Sequence, residues 1–127
     1  MNAREMLESY GELVSRAEAR AREMALCLRH AKEEEAAEAA ERWQAKACLL
    51  KADIRKIRRQ AAIRRHEIEQ ALCRLDSPRE RQILSLRYLN LLPYDDISEV
   101  IHFSTRHIYR VHKESVAKLD RLMADST

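Results

Sequence analysis

Residues 77–119 read SPRERQILSLRYLNLLPYDDISEVIHFSTRHIYRVHKESVAKL, and their punctuation decides the fold. Ser77 can cap a helix, Pro78 suits the first helical position and Glu80 can close a capping box, so a new module starts at Asp76. Its first helix carries Ile83, Leu84, Leu86 and Tyr88 and ends near Asn90, a residue type that tolerates the left-handed backbone of a helix end. A second helix begins at Pro93, with Asp95 and Asp96 in its first turn, where carboxylates favour the helix dipole, and it turns Ile97, Val100 and Ile101 inward. After His102 and Phe103, Ser104 caps a third helix with the inward stripe Ile108, Val111, Ser115, Leu119 and Leu122. A short helix, a three-residue turn and a longer helix make a helix-turn-helix.

Upstream, the apolar positions step through Leu7, Tyr10, Val14, Ala17, Ala21, Met24, Leu28 and Ala31, the four-three alternation of a coiled-coil seam. Gly11 lies inside this pattern at a cost of about 1 kcal/mol relative to Ala, so fraying of the first turns is expected. The stepping lapses over Lys32 to Glu35, where a tight turn fits. It resumes at Trp43, Ala47, Leu50, Ile54, Ile57 and Ala61, slips at Arg64, and recovers at Ile68, Ala71 and Leu75. Neither helix can bury its stripe alone, so residues 1–75 form a long antiparallel hairpin or zip onto a second copy as a homodimer. The same heptads serve both arrangements.

A chain of 127 residues suffices for one domain or two small modules that lean on one another, which excludes a large multidomain enzyme. One Gly, two Pro and 35% charged residues describe an all-α protein and leave no material for a Gly-rich phosphate cradle. Cys27, Cys48 and Cys73 include no CxxC pair, so no disulfide framework is expected and each reads as a small core residue. Met1 to Leu13 has neither an apolar core nor a small-residue cleavage site, and no apolar run approaches the ~18 residues of a membrane span. A cytoplasmic protein is expected.

The net charge of +3 names no partner unless the basic residues are segregated. In the third helix they are. With Ile108 and Val111 inward, Arg106, Arg110 and Lys113 fall together on the opposite face with Tyr109 at its edge, and no acid occurs from His102 to Lys113. Arg can bond a guanine edge bidentately in the major groove, and Lys or Tyr can hold phosphates, so this face suits duplex DNA. A plain solvated helix face is the competing reading, and the helix-turn-helix context favours DNA.

Ser77 to Leu119 also resembles the fourth region of bacterial sigma factors, which reads the upstream promoter element. The resemblance is carried by Leu86-Arg87-Tyr88, Asp96-Ile97, the cap Ser104, the inward Ile108 and the closing Leu119. Across the whole chain, a charged helical hairpin followed by this module is similar to the phage and mobile-element regulators grouped with the autolysin regulatory protein family. The resemblance implies that Thr105, Arg106, His107 and Arg110 stand where sigma factors touch promoter bases and phosphates, and it allows contact with RNA polymerase. Where such modules commonly have Gly in the turn this chain has His102, which must take a less comfortable backbone conformation if the turn is the same. Where the major sigma factors carry an acid in the reading helix, Arg106 stands instead. No clustered aromatics suited to catching unstacked bases occur, so a promoter-recognition regulator is expected and not a self-sufficient sigma factor.

Lys51 to Arg65 holds seven Lys or Arg residues against the single acid Asp53. The run could track DNA phosphates, but folding the hairpin brings it near Glu12 and Glu18, and interhelical charge pairing is the expected reading. His107 and His112, five apart, do not share a face as a metal-binding pair would. His66-Glu67-Ile68-Glu69-Gln70 begins like a metalloprotease helix but has Gln where the second ligand belongs. No catalytic residue, metal or cofactor is expected.

The expectation is therefore a hairpin over 1–75 for oligomerisation or partner contact and a DNA-binding module over 76–127, with no enzymatic activity. Thr105, Arg106, His107, Tyr109, Arg110 and Lys113 are its candidate DNA contacts. The alternative is an interaction protein whose helix-turn-helix docks on another protein such as RNA polymerase.

Overall fold

Five helices and no strand make up the regular structure of residues 1–125, the part of the chain that the computed structural model describes. They are α1 (Ala3–Glu33), α2 (Ala37–Leu72), α3 (Pro78–Tyr88), α4 (Tyr94–Ile101) and α5 (Thr105–Ala124). None is long and apolar enough to cross a membrane. The chain divides into two compact units, one formed by Glu12–Ala62 and the other by Met1–Gly11 with the chain from Ile63 onward.

The unit of Glu12–Ala62 is an antiparallel pairing of α1 with α2, joined through residues 34–36. Its register is fixed by Arg20 to Asp53 at 3.0 Å, Lys46 to Glu23 at 3.8 Å, and His30 stacked on Trp43 with ring centroids 4.7 Å apart. Ala17, Cys27, Ala47, Ile54, Ile57 and Ala61 are buried, and the alanines let the two backbones approach closely. Near the turn the seam departs from the expected stepping. The contacting face of α1 rotates toward Cys27 and His30, which leaves Leu28 48% exposed. Of the three cysteines only Cys27 is a core residue; Cys48 and Cys73 are exposed, because each follows an inward position instead of occupying one. The basic run also differs from expectation: Asp53 pairs with Arg20, Arg64 and Arg65 pair with Glu67 and Glu69 of their own helix, and neither Glu12 nor Glu18 joins an ion pair among the described residues.

In the other unit, Ala3, Met6 and Leu7 of α1 and Ile68, Leu72 and Leu75 at the end of α2 pack with Leu84, Tyr88, Leu89 and Leu119. Burying a Leu or Ile side chain of this kind contributes about 1.5–3 kcal/mol. The first turn of α1 is therefore tied down where fraying was expected. Asn2 Oδ1 accepts the Glu5 N–H at 2.8 Å as a local cap, and Asp120 Oδ1 accepts the Ala3 N–H at 2.9 Å. Gly11 has a tertiary reason: a Cβ there would meet Leu91 Cδ2 at 3.1 Å. A second core joins Ile83, Ile97, Ile101 and Ile108, flanked by Leu86, Leu92, Tyr94, Phe103 and Val111. It binds α3, α4 and α5 into the helix-turn-helix module.

The expected caps form in part. Ser77 Oγ accepts the Glu80 N–H at 3.3 Å and Pro78 opens α3, but the Glu80 side chain does not return to close a capping box. It is drawn instead into the interior toward α5, because Ser115 and Lys118 offer its carboxylate two hydrogen bonds. The left-handed residue after α3 is Leu91, φ 59°, and not Asn90. Val100 is 54% exposed, since the eight-residue α4 buries only the side bearing Ile97 and Ile101.

Candidate nucleic-acid interface

Helix α5 presents two different faces. Ile108, His112, Ser115 and Leu119 are buried, whereas Thr105, Arg106, Tyr109, Arg110 and Lys113 are exposed. Ser104 caps the helix by accepting the His107 N–H at 3.2 Å, and the first turn carries no acid. Such a helix start attracts phosphate.

The turn before α5 is held from both sides. His102 adopts φ 60° and ψ 35°, the left-handed conformation that its place in the turn demands, and its N–H reaches the Ser98 carbonyl. The Ser98 hydroxyl donates to the Phe103 carbonyl. Arg79 of α3 lies over the Phe103 ring at 4.5 Å, and Phe103 meets the His107 ring edge-on at 4.7 Å. His107 Nδ1 then accepts from Arg110 Nη2 at 2.7 Å. This series holds the Arg110 guanidinium against His107, in an exposed contact beside the basic face.

Tyr109 is 58% exposed and meets Tyr94 edge-on with centroids 6.0 Å apart. Arg87 sits 4.6 Å over Tyr94 and donates to the Leu92 carbonyl at 3.1 Å, tying the loop before α4 to α3. Beneath them the His112 ring bridges Tyr88 at 2.6 Å and Tyr94 at 3.3 Å. Burial lowers the His112 pKa, with Arg87 and Arg4 adding to the effect and Glu8 opposing it. Burial thus disfavours the charged imidazole, and the two ring nitrogens are each within hydrogen-bond distance of a tyrosine hydroxyl. Burial above all raises Tyr88, to about 12, so it remains a donor.

Glu80 is the other buried polar group, accepting from Ser115 Oγ at 2.9 Å and from Lys118 Nζ at 2.8 Å. Burial pushes its carboxyl pKa up, but those two bonds outweigh it and hold the group below its ordinary range. Neither His112 nor Glu80 was marked by sequence as a buried polar residue. His112 lies next to the inward Val111 and on the same side as Ile108 and Ser115, and that was the available signal. The partners lie 18 to 38 residues away and leave no local trace.

These features define a class: a helix-turn-helix module whose second helix exposes a basic face. Residues 72–121 match the family model described as Sigma-70, region 4, so this part of the chain is a sigma region 4-like module. That family is one of DNA-binding regulatory modules and is not enzymatic. No curated protein and no solved structure matches the chain.

Proposed function

We propose that the chain is a sequence-specific transcriptional regulator of the phage or mobile-element type, in which α5 enters the major groove of a promoter element. The observation that carries this reading is the exposed, acid-free basic face of α5 in a module that matches sigma region 4. Arg106 and Arg110 read base edges, Arg110 with its guanidinium braced by His107. Thr105 and the open N–H groups of the first turn hold phosphate, as do Tyr109 and Lys113 from the side. Residues 76–127 act as the DNA-binding module, and the hairpin of residues 1–75 serves oligomerisation or contact with a partner. The experiment is a pair of substitutions measured on a selected site. Arg110→Ala should lose about 1–3 kcal/mol on that site and relax its sequence preference, whereas Lys113→Ala should weaken all sequences alike and reduce the salt slope by about 1. Normal site binding by Arg110→Ala would overturn the assignment.

One observation favours a role for a protein partner such as RNA polymerase. Val100 is 54% exposed on α4, whose Asp95, Asp96 and Glu99 are unsuited to lying against phosphates. Val100→Ala should then impair transcription in a reconstituted system while leaving DNA affinity unchanged.

A further inference from the structure

Helix α2 carries more positive charge than its own unit neutralises. Lys51, Arg55, Arg58 and Arg59 are all exposed and form no ion pair among the described residues. Asp53, the acid within this run, is engaged by Arg20 on the other flank of the helix pair. The spacing 51, 55, 58 places three of the bases along a single flank of α2, and Arg59 adjoins them. Ala52, Arg55, Arg58 and Arg59 line one shallow depression, so the small alanine leaves room among three guanidinium groups. Glu18, the acid of α1 nearest in register to Arg55, forms no ion pair. Like charges at i and i+4 repel, and this helix keeps them together without a counter-charge.

We infer that this flank of the α1–α2 pair binds the sugar-phosphate backbone of duplex DNA, as a second and sequence-blind contact distinct from α5. The chemistry favours phosphate. Three of the four bases on this flank are Arg, whose planar fork suits bidentate phosphate contacts. Lys51 and Arg58 are seven residues apart, about 10 Å at the helical rise, which spans several phosphates when one strand advances about 3.4 Å per nucleotide. No base-edge reading follows from such a flank, because the contacts would carry charge and not pattern.

The test is the salt dependence of binding to a duplex of random sequence, comparing the full chain with a Lys51→Gln/Arg55→Gln/Arg58→Gln variant. Gln keeps helix propensity and the sites are exposed, so far-UV circular dichroism and the unfolding midpoint should be unchanged. The slope of log affinity against log salt should become shallower by about 0.9 for each lost phosphate contact, about 2.7 in all. Lys56→Gln, on the other side of α2, should leave the slope as it is. An unchanged slope in the triple variant overturns the inference. So does loss of binding to polyglutamate with the DNA slope intact, which assigns the flank to an acidic protein. Sequence preference measured alongside separates the two interfaces. A shallower slope with preference retained reports this flank, and loss of preference in Arg106→Ala/Arg110→Ala reports α5.

Discussion

The Tyr88 hydroxyl lies 2.6 Å from Nε2 of His112, and that contact joins α3 to the buried side of the helix that bears the basic face. The other ring nitrogen of His112 reaches Tyr94, so one imidazole links α3, α5 and the start of α4. The fold lowers the His112 pKa, chiefly by burial. Its contribution to stability is thus complete above the unfolded value of about 6.5 and is lost as pH falls from there toward the folded value. Denaturant unfolding at neutral and mildly acidic pH should show this loss. His112→Phe should flatten that part of the pH dependence while costing about 1–3 kcal/mol at neutral pH, since the Tyr88 hydroxyl is left unpaired. An unchanged pH dependence in the variant would contradict the role given to His112.

Glu80 is a second joint between α3 and α5. Glu80→Ala removes a carboxylate held by Ser115 and Lys118 and should destabilise the module by about 1.5–3 kcal/mol, the range for hydrogen bonds to a charged group. Lys118→Ala should cost less in itself, because the Lys118 side chain is 47% exposed, although it also removes one of the Glu80 contacts. Because Glu80 is held below its ordinary carboxyl pKa, its contribution is present above the unfolded value and declines as pH falls through the folded one. Chemical denaturation of the two variants at neutral pH should rank them in that order.

His102 sits at φ 60° in the turn before α5, a conformation in which a side chain costs about 1–2 kcal/mol. His102→Gly removes that cost and adds the chain entropy of glycine, for a net gain of about 0.5–1 kcal/mol. A higher thermal midpoint with unchanged DNA affinity is the expected result. A lower midpoint would mean that the His102 side chain stabilises the turn.

Much of this architecture was legible because its signals are local. Ser77, Pro78 and Ser104 mark helix starts through bonds and dihedrals within one turn, and the structure has them in those roles. The stripe Ile108, Ser115 and Leu119 follows helical periodicity and is buried. What escaped was set by distant neighbours. Glu80 stands at the right spacing to cap Ser77, yet Ser115 and Lys118, more than thirty residues on, take its carboxylate. Asn90 has the intrinsic tolerance for a left-handed turn, but that conformation falls to Leu91, whose side chain lies against bare Gly11. The basic run of α2 was plain as a count. Its pairing was not, because the cross-helix partners, such as Arg20 for Asp53, are set by the packing of two distant segments.

For the candidate DNA contacts, the wheel separated Arg106, Tyr109, Arg110 and Lys113 from the core, and all four are exposed. His107 came only through the family resemblance. In the structure it contacts Phe103 and Arg110, a bracing position that neither periodicity nor charge could reveal.

The central claim is that α5 reads sequence. Its most direct test is selection from a random duplex library at two salt concentrations, with the purified chain and its Arg106→Ala/Arg110→Ala variant run side by side. An enriched motif that survives the higher salt and disappears in the variant is the predicted result. Binding without enrichment that vanishes as salt rises, equally for both proteins, would contradict it and leave the module as a surface for another protein.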